Sequence, residues 1–156
     1  MESVSIKESM NVIAEVELVY RNPIPVAERP KITSSGSAYD RLLDNWDAGR
    51  IQYLEQFKIL LLNRSNHVLG IYELSSGGIS GTVVDPKLVF TAALKASAVG
   101  IILAHNHPSG NLQPSLADER ITRKLTEAGR LLDIEILDHL IITPDGYFSF
   151  RDQGLL

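Results

Sequence analysis

The sequence predicts an α/β (α+β) fold, a mixed β-sheet flanked by about three helices. Three observations lead there. The runs KILLLN (58–63) and VGIILA (99–104) are apolar, strand-sized and too short to span a membrane. Three other stretches place apolar residues every three or four positions, as amphipathic helices do. These strand-like and helix-like stretches interleave along 156 residues, a length that suits one core.

Residues 1–10 are polar and are expected to be a loosely ordered end. EVELVY (15–20) alternates polar and apolar side chains and reads as a half-buried strand. RNPIPVAERPKI follows, with prolines at 23, 25 and 30, and suits a sheet edge or an extended connector. We read 1–34 as an N-terminal extension and 35–156 as the main domain of one compact unit. In SAYDRLLDNW, Ala38, Leu42 and Trp46 recur every four residues, with Leu43 beside them, which marks the first helix.

EQFKILLLN (55–63) and HVLGIYEL (67–74) read as two strands joined by the polar turn RSN. SSGGISG (75–81) lacks the lysine of a phosphate loop and is read as a turn or bulge. Asp85 and Pro86 are an N-cap and a first helical residue, and PKLVFTAALKAS puts Val89, Phe90, Ala93 and Leu94 on one face. VGIILAHNH is a buried strand. The third helix, SLADERITRKLTEAG, carries the stripe Ile121, Leu125 and Ala128, with Gly129 suited to stopping it. DIEIL and HLIIT are strands, and TPDGY turns the chain into YFSF.

Composition removes several function classes. The chain has no cysteine, so disulfides, thiolate zinc sites, cysteine nucleophiles and thiolate-held clusters are excluded, and a metal must be held by nitrogen and oxygen. A net charge of -4 argues against a broad hold on nucleic acid, although it allows a local basic patch. MESVSIKESMNV is not a signal peptide, so a cytoplasmic protein without membrane contact is expected.

Residues 104–118, AHNHPSGNLQPSLAD, concentrate the chemistry. His105 and His107 are two apart at the end of a strand, so both imidazoles project to one face and can share one ion. Taken alone, the pair reads more readily as a stacked or hydrogen-bonded couple leaving the sheet without a metal. Asp118 alters that balance, because Pro108 ends the strand, Gly110 permits a reversal, and the carboxylate can return to the histidines. Two imidazoles and one carboxylate leave a coordination position open, as in catalytic rather than structural zinc sites. A rival local explanation covers Ser115 and Asp118, since S-L-A-D has capping-box spacing; the two readings can coexist. Glu55 shares strand phase with Phe57 and Ile59, so its carboxylate points inward. There it is either a proton acceptor for a metal-activated water or a strand-end residue reaching solvent.

These residues together resemble a known motif. Glu55, H-N-H at 105–107, ten intervening residues and Asp118, with Ser115 three before it, are similar to the JAMM motif of the JAB/MPN metalloprotease superfamily. The longer string ILAHNHPSGNLQPSLADERIT, with LDHLII and a terminal FSFRDQGLL, resembles the RadC branch. The resemblance implies a cytidine deaminase-like fold in which His105, His107 and Asp118 bind Zn²⁺. It implies Glu55 as the catalytic base and Ser115 as a catalytic oxyanion stabiliser, acting on a peptide or isopeptide bond. Its alternative implication is a DNA-repair-associated interaction module with little or no hydrolysis. RadC-like proteins often carry an N-terminal helix-hairpin-helix region, and the residues before the matching part are too few to form one.

The remaining candidates are weaker. Asp138 and His139 are strand neighbours facing opposite sides, and without G-x-S-x-G they do not suggest a serine triad; the family resemblance, rather than their spacing, implies that one of them supports the site from behind. A non-haem iron triad usually stands on a jelly roll, and a zinc deaminase needs P-C-x-x-C. His67 is expected at the surface, and Trp46 and Phe90 in the core. An exposed edge at the proline-rich strand could support a dimer; the oligomeric state is left open.

Overall fold

The structure, a computed structural model, describes residues 12–77 and 83–156. Its elements in chain order are α1 (Ser35–Asp44), β1 (Gln56–Leu62), β2 (Val68–Ser76), α2 (Pro86–Lys95), β3 (Gly100–Asn106), α3 (Leu116–Leu131), β4 (Glu135–Thr143) and β5 (Gly146–Ser149). One mixed sheet runs β2-β1-β3-β4-β5, antiparallel except for the parallel pair β3–β4. The expected α/β class is therefore the one found.

Every residue of β1 and β3 is buried, because helices cover both faces of the sheet centre. Phe57, Ile59, Leu61, Ile101 and Leu103 pack against Val89, Phe90 and Ala93 of α2 and Leu125 of α3. The alternate residues Leu60, Leu62, Ile102 and Ala104 pack against Ala38 and Leu42 of α1, with Trp46 just beyond that helix. The two-residue strand period thus sorts side chains between two cores, and His105 falls on the α2–α3 side. Among the described residues no helix is long and apolar enough to cross a membrane.

Several expectations need correction. Residues 15–20 form no strand, and Val16 and Leu18 are exposed. Alternation is a local pattern, whereas a strand needs a ladder partner, and β2 pairs only with β1 along its length. The segment is tethered instead by side chains, with the Tyr20 hydroxyl and the Asn22 amide donating to the Leu69 carbonyl. Leu94 is exposed on α2 although Val89, Phe90 and Ala93 are buried. DIEIL and HLIIT are one continuous strand, β4, because buried Asp138 finds hydrogen-bond partners and does not interrupt the ladder. His67 is half-buried, bridged to Lys31 beside the turn. Ser75 and Ser76 belong to β2, whereas residues 1–11 and 78–82 lie outside the described residues.

Gly129 does not stop α3, which continues to Leu131; the reversal comes at Asp133, where φ is +54°. Its role is close approach. A Cβ at this position would lie 2.3 Å from the Ile134 carbonyl oxygen, so only glycine lets the helix lie this close to the chain entering β4. Gly129→Ala is therefore expected to destabilise the protein by about 1–3 kcal/mol, as overpacking does, in equilibrium urea denaturation. An unchanged midpoint would show that the helix end can move aside.

Candidate metal centre

One strand, the loop after it and one helix deliver the candidate ligands. Phe57 of β1 pairs with His105 of β3, and β3 then leaves the sheet after Asn106. The loop beyond is folded by local bonds, with the Gly110 amide donating to the His107 carbonyl at 2.9 Å. Gly110 has φ of +82°, the left-handed conformation that glycine adopts without steric cost. The loop ends at Ser115, whose Oγ accepts from the Asp118 amide at 3.0 Å while Asp118 Oδ2 accepts from the Ser115 amide at 2.8 Å. Both capping-box bonds are present.

The same Asp118 carboxylate also faces the histidines. Its Oδ1 lies 3.2 Å from His105 Nε2 and its Oδ2 lies 3.3 Å from His107 Nε2. The two Nε2 atoms are 3.0 Å apart. Around a tetrahedral zinc with Zn–N near 2.0–2.1 Å, neighbouring ligand atoms are separated by roughly 3.3 Å. The observed separations fit that scale, and His105, His107 and Asp118 form a group that could hold a metal ion. Capping and convergence on the histidines coexist at one side chain.

Hydrogen-bond directions reinforce the fit. The Thr122 hydroxyl donates to the Asp118 carbonyl at 2.6 Å, so towards His139 Nδ1, 2.5 Å away, it acts as an acceptor. His139 is completely buried, which holds its pKa well below the ordinary imidazole value, and the neutral ring places its proton on Nδ1. Its Nε2 then accepts from His105 Nδ1 at 2.7 Å. That arrangement leaves the His105 Nε2 lone pair facing Asp118. His107 is fixed likewise, its Nδ1 donating to the Asn111 carbonyl at 2.6 Å. Two imidazole lone pairs and a carboxylate then converge with no donor between them, an arrangement that calls for a cation.

The electrostatics agree. When a proton takes the place of that cation, burial alone would raise the Asp118 carboxyl, but hydrogen bonds from His105 and His107 then outweigh it and hold the group well below the usual carboxylate range. The hydrogen bond to Asp118 raises the His107 pKa against the opposing effect of burial. Glu55 lies one residue before β1 and is half-buried. Burial raises its pKa; the charges of His105 and His107 lower it and that of Asp118 raises it again, so its carboxyl senses the whole cluster. Ser115 is exposed at the rim.

Of the adjacent pair 138–139, His139 stands behind His105. Asp138 faces away, accepting from Ser149 Oγ and the Arg151 amide. Sequence reasoning missed Thr122 and Asn111. Thr122 stands one helical turn after Asp118, and that spacing was its only available signal.

With this geometry on the page, comparison with known proteins is specific. A family profile described as a RadC-like JAB domain matches residues 32–155. The chain belongs to the RadC-like JAB domain family. Among similar RadC-like proteins are three curated relatives, each named UPF0758 protein. That of Flavobacterium johnsoniae is 45% identical over 95% of this chain. That of Porphyromonas gingivalis is 42% identical over 96%, and that of Alkaliphilus metalliredigens 38% identical over the whole chain. The aligned part is 64%, 65% and 66% of those proteins' respective lengths, so this RadC-like chain spans about two thirds of its relatives.

Two outcomes follow from the site. Thr122→Val removes the acceptor of a buried N–H and is expected to cost about 1–3 kcal/mol of stability, with a roughly 10–100-fold loss of affinity for added Zn²⁺. Denaturation and competitive metal titration measure the two effects; an unchanged affinity would remove His139 from the support of His105. The second outcome concerns acid. Asp118 has a folded-state pKa below its unfolded one, so its stabilisation is full above about 4 and is lost as pH falls further. Metal-free Asp118→Asn should therefore show a shallower acid limb than metal-free wild type in a pH series of thermal melts.

Proposed function

We propose that this RadC-like chain is a zinc-dependent hydrolase acting on a peptide or isopeptide bond. The observation that carries the reading is the convergence of His105 Nε2, His107 Nε2 and the Asp118 carboxylate beside a half-buried acid, Glu55. His105, His107 and Asp118 are the proposed metal ligands, a set of three that leaves a position open. Zinc bound there would supply Lewis acidity, bringing the pKa of water down to about 7 and polarising a carbonyl.

The chain's own residues do the rest. Glu55 takes the proton of the attacking water and passes it to the leaving amine, roles suited to a carboxyl whose pKa is raised towards neutrality. His139, through its bond to His105 Nδ1, keeps that ring in the ligating tautomer. Ser115 lends a lone pair to the helix cap, and its O–H is the donor proposed for the oxyanion of the tetrahedral intermediate.

Protein purified without an affinity tag is expected to contain one zinc per chain, lost in His107→Ala. Glu55→Gln should keep the zinc and lower hydrolysis by about 10²–10⁴-fold. The measurements are elemental analysis and mass-spectrometric scoring of a library of peptides and lysine-linked isopeptides. Protein that neither contains nor rebinds zinc would sink the reading. Zinc retained without cleavage of any member would leave a metal-bearing interaction module.

A further inference from the structure

The residue between the two histidines, Asn106, makes a set of contacts of its own. Along β3, Ile101, Leu103 and His105 face α2 and α3, so Asn106 projects to the opposite side, towards α1. There it is fully buried, on the side of the sheet whose core is built from apolar side chains. It meets backbone: Oδ1 accepts from the Gln56 amide at 2.7 Å, and Nδ2 donates to the Ile51 and Leu54 carbonyls, each at 2.8 Å. Both amide hydrogens are used. All three partners lie in residues 51–56, the turn-rich connection that contains Glu55 together with the first residue of β1.

This connection has few other means of staying in place. The β1–β3 pairing runs only as far as Phe57 opposite His105. Continued by two residues, that register sets Glu55 opposite His107, but the Gln56 amide goes to the Asn106 side chain. The remaining ties are turn bonds to Asp47 and Arg50, the Gly77 amide on the Glu55 carbonyl, the packing of Ile51, and, at Gln56 alone, pairing with Ser76 of β2 and a side-chain bond to Glu73. An asparagine supplies two donors and an acceptor at this reach. Aspartate lacks the donors, and glutamine is one methylene longer.

We propose that Asn106 is a positioning residue, a clamp on residues 51–56 that holds Glu55 against the His105–His107–Asp118 cluster. The catalytic consequence rests on the hydrolase reading above; the clamp itself does not. The end of one strand thus serves both halves of the site, with His105 and the following His107 directed to the proposed metal on one face and Asn106 to the base-bearing loop on the other.

Asn106→Leu and Asn106→Asp test this by hydrogen exchange. In Asn106→Leu, exchange over residues 51–56 should rise about tenfold or more, while β4 keeps its protection and zinc stays at one per chain. Asn106→Asp keeps the acceptor for Gln56 and loses both donors, so its increase should be confined to 51–54; it also serves if the leucine variant does not fold. On any peptide that wild type cleaves, kcat should fall about 10–100-fold with KM within about twofold. The double variant with Glu55→Gln should be no slower than Glu55→Gln alone. Unchanged exchange over 51–56 in a folded variant would overturn the clamp. Loss of zinc would overturn it too, by showing that Asn106 supports the ligands, and so would additive losses in the double variant. Wild type that binds zinc but cleaves nothing would end the hydrolase reading and leave exchange and zinc content to decide the clamp.

Discussion

His105 and His107 direct their Nε2 atoms at each other across 3.0 Å, with the Asp118 carboxylate closing the triangle. Acceptors held so close repel one another unless positive charge lies among them. The protein nevertheless fixes this geometry from behind with directed bonds, His105 donating to His139 and His139 to Thr122, and His107 donating to the Asn111 carbonyl. Much of the surrounding architecture exists to sustain that crowding. The rings of Phe57 and Phe150 enclose His139 and leave it no solvent with which to reorient.

The sheet explains how such distant residues meet. Antiparallel pairing of β1 with β3 sets Phe57 beside His105, and parallel pairing of β3 with β4 brings His139 to the same neighbourhood. A parallel pair requires a crossover, and α3 is that crossover, so the residues that begin it lie at the end of the strand just left. Asp118 is in its first turn and Thr122 in its second. The fold therefore needs no long insertion to assemble the centre. One strand end, one short loop and one helix start suffice.

Sequence reasoning reached much of this and missed the rest for identifiable reasons. Helix periodicity located α1, α2 and α3, and unbroken apolar runs located β1 and β3, because those signals are local. EVELVY carried an equally clear alternation without a sheet partner, and partners are not written in the segment itself. Gly129 looked like a stop signal, yet its reason is a carbonyl five residues later pressed against the helix. At the centre, the spacing of His105, His107, Ser115 and Asp118 was legible because it concerns one stretch of chain. Asn106, Asn111 and Thr122 were silent, since their partners are main-chain groups or a ring whose proximity only the folded chain creates.

One carboxylate serves two masters here, closing the cap of α3 through the Ser115 amide while facing both imidazoles. Glutamate, the commoner acid at that place in a capping box, would satisfy the helix and overshoot the histidines by a methylene. Selection for a better helix start and selection for the centre thus pull position 118 in different directions. A relative with Glu there would keep its shape and its cap, and would look intact to any inspection of secondary structure, while its carboxylate no longer converged on the two imidazoles.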